Sequence, residues 1–106
     1  MAGEISMKRI DFLSEAIEEF EEAADYYESE RDGLGGEFRE EFEKLSLKIR
    51  VRPRQFPQYK QTGLRHTILR RFPFVVYYRE SADSVVVYAV AHGRRKPDYW
   101  KDRLSE

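Results

Sequence analysis

The hydrophobic pattern of this chain changes its period at Pro53, and this change constrains the fold more than any other feature. Before Pro53, apolar residues recur three and four positions apart, which places their side chains on one face of a helix. After Pro53 they occur in short runs rich in valine and tyrosine, which are typical of strands. Helices in the first half and strands in the second predict an α+β domain.

Two amphipathic helices are predicted in the first half. The first begins near Ser14, a residue suited to capping a helix, and continues to about Ser29. The second ends before Pro53, and the glycine-rich segment 33–36 separates the two helices, which should form an antiparallel hairpin. The apolar positions are Ala16, Ile17, Phe20, Ala23, Ala24 and Tyr27 in the first helix and Phe38, Phe42, Leu45 and Ile49 in the second.

Strands are predicted on both sides of the hairpin. A short strand candidate covers 7–12, and three more cover 64–71, 74–79 and 85–91. Proline is tolerated at a first helical position, so a last short helix is expected over 97–103. The expected architecture is a helix hairpin on one face of an antiparallel sheet of about four strands, whose other face carries polar groups.

The length and composition exclude several classes of protein. At 106 residues the chain is expected to form a single domain over 1–106, with 1–6 as a flexible leader. It has no apolar run of the roughly 20 residues that span a membrane and no signal peptide, so a cytoplasmic location is expected. Two histidines and no cysteine offer no metal-ligand spacing, so neither a metal nor a cofactor is expected.

The formal net charge of −1 conceals a segregation of charge. Residues 1–49 hold 6 Lys/Arg against 15 Asp/Glu, whereas residues 50–106 hold 13 against 5. Such asymmetry indicates a charged partner on the basic side. The alternative is that the helices are simply rich in glutamate and the strands in arginine.

The segment 85–100 combines strand chemistry with positive charge. An apolar run ends at His92 and a glycine, followed by three cations and then Tyr99 and Trp100. If the strand is regular, Tyr88 and His92 face away from the helices. The smaller residues Val85, Val87, Ala89 and Ala91 then face the core. On the exposed face, Arg65, Arg71 and Arg79 are expected to join Tyr88 and His92.

A histidine near several arginines suits metal-free RNA cleavage, which needs an acid, a base and cations for the transition-state charge. His92 is the candidate acid or base, because its reference pKa of about 6.5 lies near working pH. The candidate phosphate ligands are Arg65, Arg94 and Arg95, and the candidate base-stacking residues are Tyr88, Tyr99 and Trp100. The alternative is structural: a hydrogen-bonded His92, solvated cations, and Tyr99 and Trp100 as a hydrophobic plug.

Over roughly residues 7–104 the chain resembles the RelE/ParE superfamily of bacterial toxins from type II toxin–antitoxin systems. The order and spacing of several segments support the resemblance together. These segments are 19–27 (EFEEAADYY), 33–38 (GLGGEF), 53–57 (PRQFP), 70–78 (RRFPFVVYY) and 90–100 (VAHGRRKPDYW). The resemblance implies a helix hairpin against a four-stranded antiparallel sheet.

The resemblance leaves two activities open. RelE-like members cut messenger RNA in the ribosomal A site with basic residues and a tyrosine. The similar positions here are Arg65, Arg94 or Arg95, and Tyr99, with His92 in the acid–base role. The lysine pair of RelE-like enzymes is not reproduced, and only Arg54 and Lys60 are nearby. ParE-like members lack a ribonuclease site and poison DNA gyrase, and the ending of this chain looks closer to the ParE and plasmid-stabilisation branch.

The resemblance also implies a protein partner. Antitoxins of this class wrap a disordered segment around the toxin, neutralise its cations and add apolar contacts. The residues expected to bind RNA or a partner are Arg54, Lys60, Arg71, Arg79, Tyr88, Arg95, Lys96 and Trp100. A third possibility is a degenerate, non-toxic member that survives as a binding module.

Overall fold

A computed structural model describes residues 6–105, so most of the expected leader 1–6 lies outside the described residues. The helices are α1 (Ser14–Glu30) and α2 (Leu34–Val51), with short 3₁₀ turns at Pro53–Gln55 and Lys101–Ser105. The strands are β1 (Arg9–Phe12), β2 (Gln58–Tyr59), β3 (Leu64–Ile68), β4 (Phe74–Glu80) and β5 (Ser84–His92).

The five strands form one mixed sheet in the order β1-β5-β4-β3-β2. The pairs within β2 to β5 are antiparallel, and β1 runs parallel to β5. The predicted α+β class and helix hairpin are confirmed, with a parallel edge strand and the two-residue β2 as differences. A parallel neighbour is possible because both helices and the other strands separate β1 from β5, so no hairpin turn dictates their direction.

The two helices form an antiparallel hairpin whose joint is held by Glu28. Its carboxylate accepts hydrogen bonds from the backbone N–H groups of Gly33 and Gly35, each at 3.0 Å. These bonds satisfy donors that the start of α2 would otherwise leave free. The expected cap at Ser14 is wrong, because Leu13 precedes the helix and the Ser14 hydroxyl bonds to the Glu15 carboxylate instead.

The main core lies between the hairpin and one face of the sheet, which we call the inner face. Its centre is aromatic, with Phe38 5.3 Å from Phe72 and 5.4 Å from Phe74 between ring centroids. The buried residues of α2 include Phe38, Phe42, Leu45 and Ile49, as predicted. Ile17, one of the apolar positions of α1, is 46% exposed and lies outside the core.

A bulge in β5 decides which side chains face the helices. Tyr77 pairs with Ala89 and Tyr78 pairs with Val87, so the register of β5 against β4 shifts by one residue at Tyr88. An extra residue reverses the alternation of side chains beyond it. Val90 therefore joins the inner core, whereas Ala89 and Ala91 face the opposite side, contrary to the prediction from a regular strand.

The outer face of the sheet carries a second apolar cluster and is covered by the C-terminal segment. The prediction that this face carries polar groups is therefore wrong. Trp100, which is 1% exposed, packs there on Tyr77 and Tyr59, at centroid distances of 4.5 and 5.6 Å. Residues 97–100 form turns, and the expected helix over 97–103 is only the short 3₁₀ turn from Lys101. The segment from Pro97 onward thus closes a second apolar cluster.

Candidate functional site at the end of β5

The basic loop, residues 92–96, follows β5 and presents most of its charge to solvent. The Gly93 N–H donates to the Pro73 carbonyl at 2.7 Å, which fixes the loop against the start of β4. Residues 93–96 are exposed. Arg94, Arg95 and Lys96 form no ion pair with any residue between 6 and 105. The loop is therefore a compact patch of unneutralised cations.

His92 lies on the inner face, so the expectation that it faces away from the helices is wrong. Its ring packs edge-on against Phe74, 5.1 Å between centroids, and its Nδ1 accepts the Arg94 N–H at 3.0 Å. In the neutral ring the proton is therefore on Nε2. His92 and Arg95 line an open cleft of about 370 Å³, with α1 residues such as Glu22 on the other wall.

Tyr99 is held in a network centred on Glu19 of α1. The Tyr99 hydroxyl donates to Glu19, and Arg103 donates to both oxygens of the same carboxylate at 3.1 and 2.9 Å. Glu19 also accepts the Val90 N–H at 2.9 Å, and the Arg95 guanidinium lies 3.7 Å from the centroid of the Tyr99 ring. Burial raises the pKa of the Tyr99 phenol, and Glu19 raises it further. Its hydroxyl is committed to an internal bond.

Arg65 is distant from the basic loop. It lies opposite Tyr78 on β4, whereas His92 lies opposite Phe74. Four residues of strand separate these positions, roughly 13 Å at about 3.3 Å per residue. The Arg65 guanidinium donates to the Phe56 carbonyl at 2.8 Å. The structure does not bring Arg65 together with His92.

The expectation that Arg65, Arg71 and Arg79 share one exposed face is wrong. β3 ends at Ile68, short of the predicted 71, and Arg71 lies beyond it in a left-handed conformation, with φ of 73°. Arg71 then turns to α2, where it pairs with Glu37 at 2.6 Å. Arg79 is on the outer face and donates to the Tyr88 hydroxyl at 3.0 Å.

Three further candidates, Arg54, Lys60 and Trp100, lie away from the basic loop or beneath the surface. Arg54 pairs with Glu80 at 2.9 Å, and Lys60 pairs with Asp98 at 3.0 Å. Asp98 also accepts the Tyr59 hydroxyl at 2.6 Å, which ties β2 to the turn before Trp100. Trp100 is buried, in agreement with its interpretation as a hydrophobic plug.

Glu19 and Arg103 are site residues that the sequence analysis missed. Glu19 is one of many glutamates in α1, yet its side chain is only 11% exposed. The available signal was its spacing, three residues after Ala16 and four before Ala23, which places it beside the buried stripe of α1. For Arg103 the sequence offers no comparable signal.

Two further site types are absent from residues 6–105. None of the helices there is long and apolar enough to cross a membrane. That part of the chain also has no group of three or more histidine and acidic side chains placed to hold a metal ion. The candidate site is the basic loop with the cleft beside it, which His92 and Arg95 line.

Comparison with known proteins agrees with the fold. A solved structure described as a chromosomal ParDE TA system from P. aeruginosa superposes with a TM-score of 0.67. The likeness covers 82% of this chain and 97% of that one, at 14% sequence identity, and shows the fold alone. No curated protein sequence matches. The family model of the ParE toxin of type II toxin–antitoxin systems, parDE, matches residues 10–97. The chain therefore belongs to the ParE toxin family.

Proposed function

We propose that this protein is a growth-arresting toxin of the cytoplasm, that a cognate antitoxin neutralises it, and that its target is DNA gyrase. Membership of the ParE toxin family supports the toxin role. One observation favours gyrase over messenger RNA: the side chains expected to cleave RNA are dispersed or already bonded. The basic loop then acts as a binding surface for the target.

The distance between these side chains matters because RNA cleavage needs its acid, its base and its phosphate-binding cations around one phosphate. Arg65 lies roughly 13 Å along the strands from the level of His92. The Tyr99 hydroxyl is engaged by Glu19. His92 uses Nδ1 to accept the Arg94 N–H, so the neutral ring can donate but not accept at Nε2. A cationic loop that binds a protein requires none of these groups to meet.

Ribosome-dependent RNA cleavage is the competing function, because His92 stands beside Arg94, Arg95 and Lys96, which form no ion pair within residues 6–105. The two functions differ in what they require of His92. His92→Gln keeps a hydrogen-bond acceptor near Arg94 but removes the acid–base group. We expect this variant to remain a gyrase inhibitor, whereas RNA cleavage would be lost.

The test combines purified gyrase with induced expression. We expect the wild type to inhibit supercoiling in vitro and to cause DNA breaks in cells without new codon-linked RNA 5′ ends. Arg94→Ala/Lys96→Ala should weaken inhibition about tenfold or more, because it removes two exposed cations. Lys101→Ala, an exposed cation outside the loop, is the matched control and should inhibit like the wild type.

Three outcomes would contradict the proposal. Codon-linked RNA cuts that disappear in His92→Gln would identify an RNA-cleaving toxin. Gyrase that is unaffected by a large excess of protein would remove it as the target. Harmless expression in the absence of an antitoxin would identify a non-toxic binding module.

A further inference from the structure

We propose that Arg95 is the specificity-determining residue of the basic loop, that Tyr99 and Glu19 position it, and that its ligand is a carboxylate on the target protein. This role rests on the proposed function in naming gyrase as the source of the carboxylate. The neighbouring Arg94 and Lys96 add positive charge without a fixed geometry. The three cations of the loop therefore differ in what they contribute to binding.

Arg95 is the cation of the loop whose side chain rests on another residue. Its guanidinium carbon lies 3.7 Å from the centroid of the Tyr99 ring, which is van der Waals contact between two flat groups. Within residues 6–105, the side chains of Arg94 and Lys96 make no hydrogen bond, ion pair or ring contact. A side chain that is already held loses less conformational freedom when a ligand binds it.

The contact with Tyr99 leaves the hydrogen-bond donors of Arg95 free. Stacking uses the flat face of the guanidinium, whereas its N–H groups lie in the plane and point outward from the edge. Within residues 6–105, the Arg95 side chain makes no hydrogen bond and no ion pair. Two parallel N–H groups match the two oxygens of a carboxylate. A lysine here would supply the charge but neither the flat face nor the paired donors.

Tyr99 is itself held in place by Glu19. The Tyr99 hydroxyl donates to this carboxylate, which also accepts the Val90 N–H of β5 at 2.9 Å. Arg103 donates to both oxygens of Glu19, and its guanidinium carbon lies 5.3 Å from the centroid of the Tyr99 ring. Burial and Glu19 both raise the pKa of the Tyr99 phenol, so the hydroxyl remains a donor at neutral pH. The ring beneath Arg95 is thus tied to α1 and β5.

The charges around Arg95 favour a single carboxylate over a nucleic acid. The cleft beside the loop is lined by two carboxylates, Glu19 and Glu22. Glu19 is paired with Arg103, but Glu22 forms no ion pair within residues 6–105. A nucleic acid carries a row of phosphates and needs a row of cations, and here α1 would meet that row with negative charge. One acidic side chain can reach the exposed Arg95 from solvent without entering the cleft.

The first experiment measures binding at Arg95 without any target protein. The full chain would be made by cell-free synthesis with ¹⁵N-arginine and titrated with glutamate blocked at both backbone ends. We expect the side-chain Nε–H signal of Arg95 to shift more than that of Arg94. Equal shifts would overturn the proposal. So would a short DNA duplex that binds at about 0.15 M salt and shifts both arginines alike, because the ligand would then be a nucleic acid.

Two substitutions that keep the charge supply the matched comparison on the target. Arg95→Lys removes the flat face and the paired donors, and should weaken the inhibition of purified gyrase about tenfold or more. Arg94→Lys is the control, because the neighbouring side chain makes no contact that the change would remove. It should inhibit like the wild type. Equal inhibition by the two variants would show that only charge matters and would overturn the proposal.

The positioning role of Tyr99 is tested by a double-mutant cycle. Tyr99→Leu removes the ring and should weaken inhibition, but it should cause no further loss when Arg95 is already lysine. Tyr99→Phe keeps the ring and loses the bond to Glu19, so it should cost less than Tyr99→Leu and likewise have no effect beside Arg95→Lys. This second cycle decides the question if Tyr99→Leu does not fold. Losses that add in the cycle would show a merely structural tyrosine and overturn its positioning role.

The two kinds of measurement keep this inference separate from the proposed function. If the wild type leaves gyrase unaffected, the proposed target fails, and the shifts caused by blocked glutamate still decide the role of Arg95. If the wild type inhibits gyrase but Arg95→Lys and Arg94→Lys inhibit alike, only the role of Arg95 fails.

Discussion

At the scale of the residue, some side chains that could take part in acid–base or phosphate chemistry are instead held by bonds inside the fold. Glu19 joins α1, β5 and the C-terminal segment, because its carboxylate accepts from Val90, Tyr99 and Arg103. A mostly buried carboxylate with this many donors has its hydrogen-bonding capacity filled from within the protein. Tyr99 is held by internal bonds of this kind. Within residues 6–105, the cations of the basic loop form no ion pair and remain available for a partner.

Tyr78 should make the stability of the protein sensitive to alkaline pH. It is 0% exposed, and burial raises the pKa of its phenol from 10.0 to about 12. A raised pKa means that its stabilisation is complete below about pH 10 and is lost as pH rises through about 12. We expect Tyr78 to contribute about 2–3 kcal/mol of this loss, measured by urea unfolding across that range.

The comparison variant is Tyr78→Phe, in which the free energy of unfolding should fall less as pH rises from about 10 to about 12. At neutral pH it should cost about 1 kcal/mol, because the hydroxyl no longer donates to the Pro53 carbonyl. Tyr26→Phe, at a position 58% exposed, should keep the wild-type dependence of the free energy of unfolding on pH. An unchanged slope in Tyr78→Phe would contradict the assignment.

At the scale of the element, the helices followed from local pattern and the strands only in part. Apolar spacing and the glycine-rich break predicted both helices within a few residues, because a helix depends on neighbours three and four positions away. The end of β3 was missed because Arg71 adopts a left-handed turn and pairs with Glu37 of α2, a residue far away in the sequence. The pairing of β1 with β5 is likewise non-local.

The crossing of α1 over α2 depends on Gly35. A Cβ at this position would lie 2.6 Å from the Ala24 carbonyl oxygen, closer than side-chain carbons come to backbone. Gly35→Ala should therefore force the helices apart and destabilise the protein by about 1–3 kcal/mol in urea unfolding. Gly36→Ala meets nothing within 4 Å and should stabilise α2 by about 1 kcal/mol. Equal effects of the two changes would refute the close crossing.

At the scale of the whole molecule, β4 and β5 connect two apolar clusters. Val76 and Tyr78 face the helices, and Tyr77 faces Trp100 on the outer side. The segregated charge that the sequence revealed is partly cancelled by contacts between the two halves, such as Arg71 with Glu37 and Arg103 with Glu19. Since both clusters share the same strands, they should be lost together.

The two faces should unfold in one transition. Trp100 is the single tryptophan, so its emission reports the outer cluster, while far-ultraviolet circular dichroism reports mainly the helices. We expect both signals to give the same urea midpoint. Asp98→Asn, which weakens the tie to Tyr59 and Lys60, should lower both midpoints together, and exposed Asp102→Asn should lower neither. An earlier transition of Trp100 would show that the C-terminal segment folds separately.

The sequence by itself determined the α+β class, the helix hairpin and the family, because these follow from local periodicity and from the order of short motifs. It also located the basic loop after β5. Only the tertiary structure decided which side chains that loop leaves free. A one-residue bulge at Tyr88 turns His92 toward the helices, and Glu19 and Arg103 engage Tyr99 from distant parts of the chain. Strand register and buried ion pairs arise between segments far apart in sequence, so neither leaves a periodic signal along the chain.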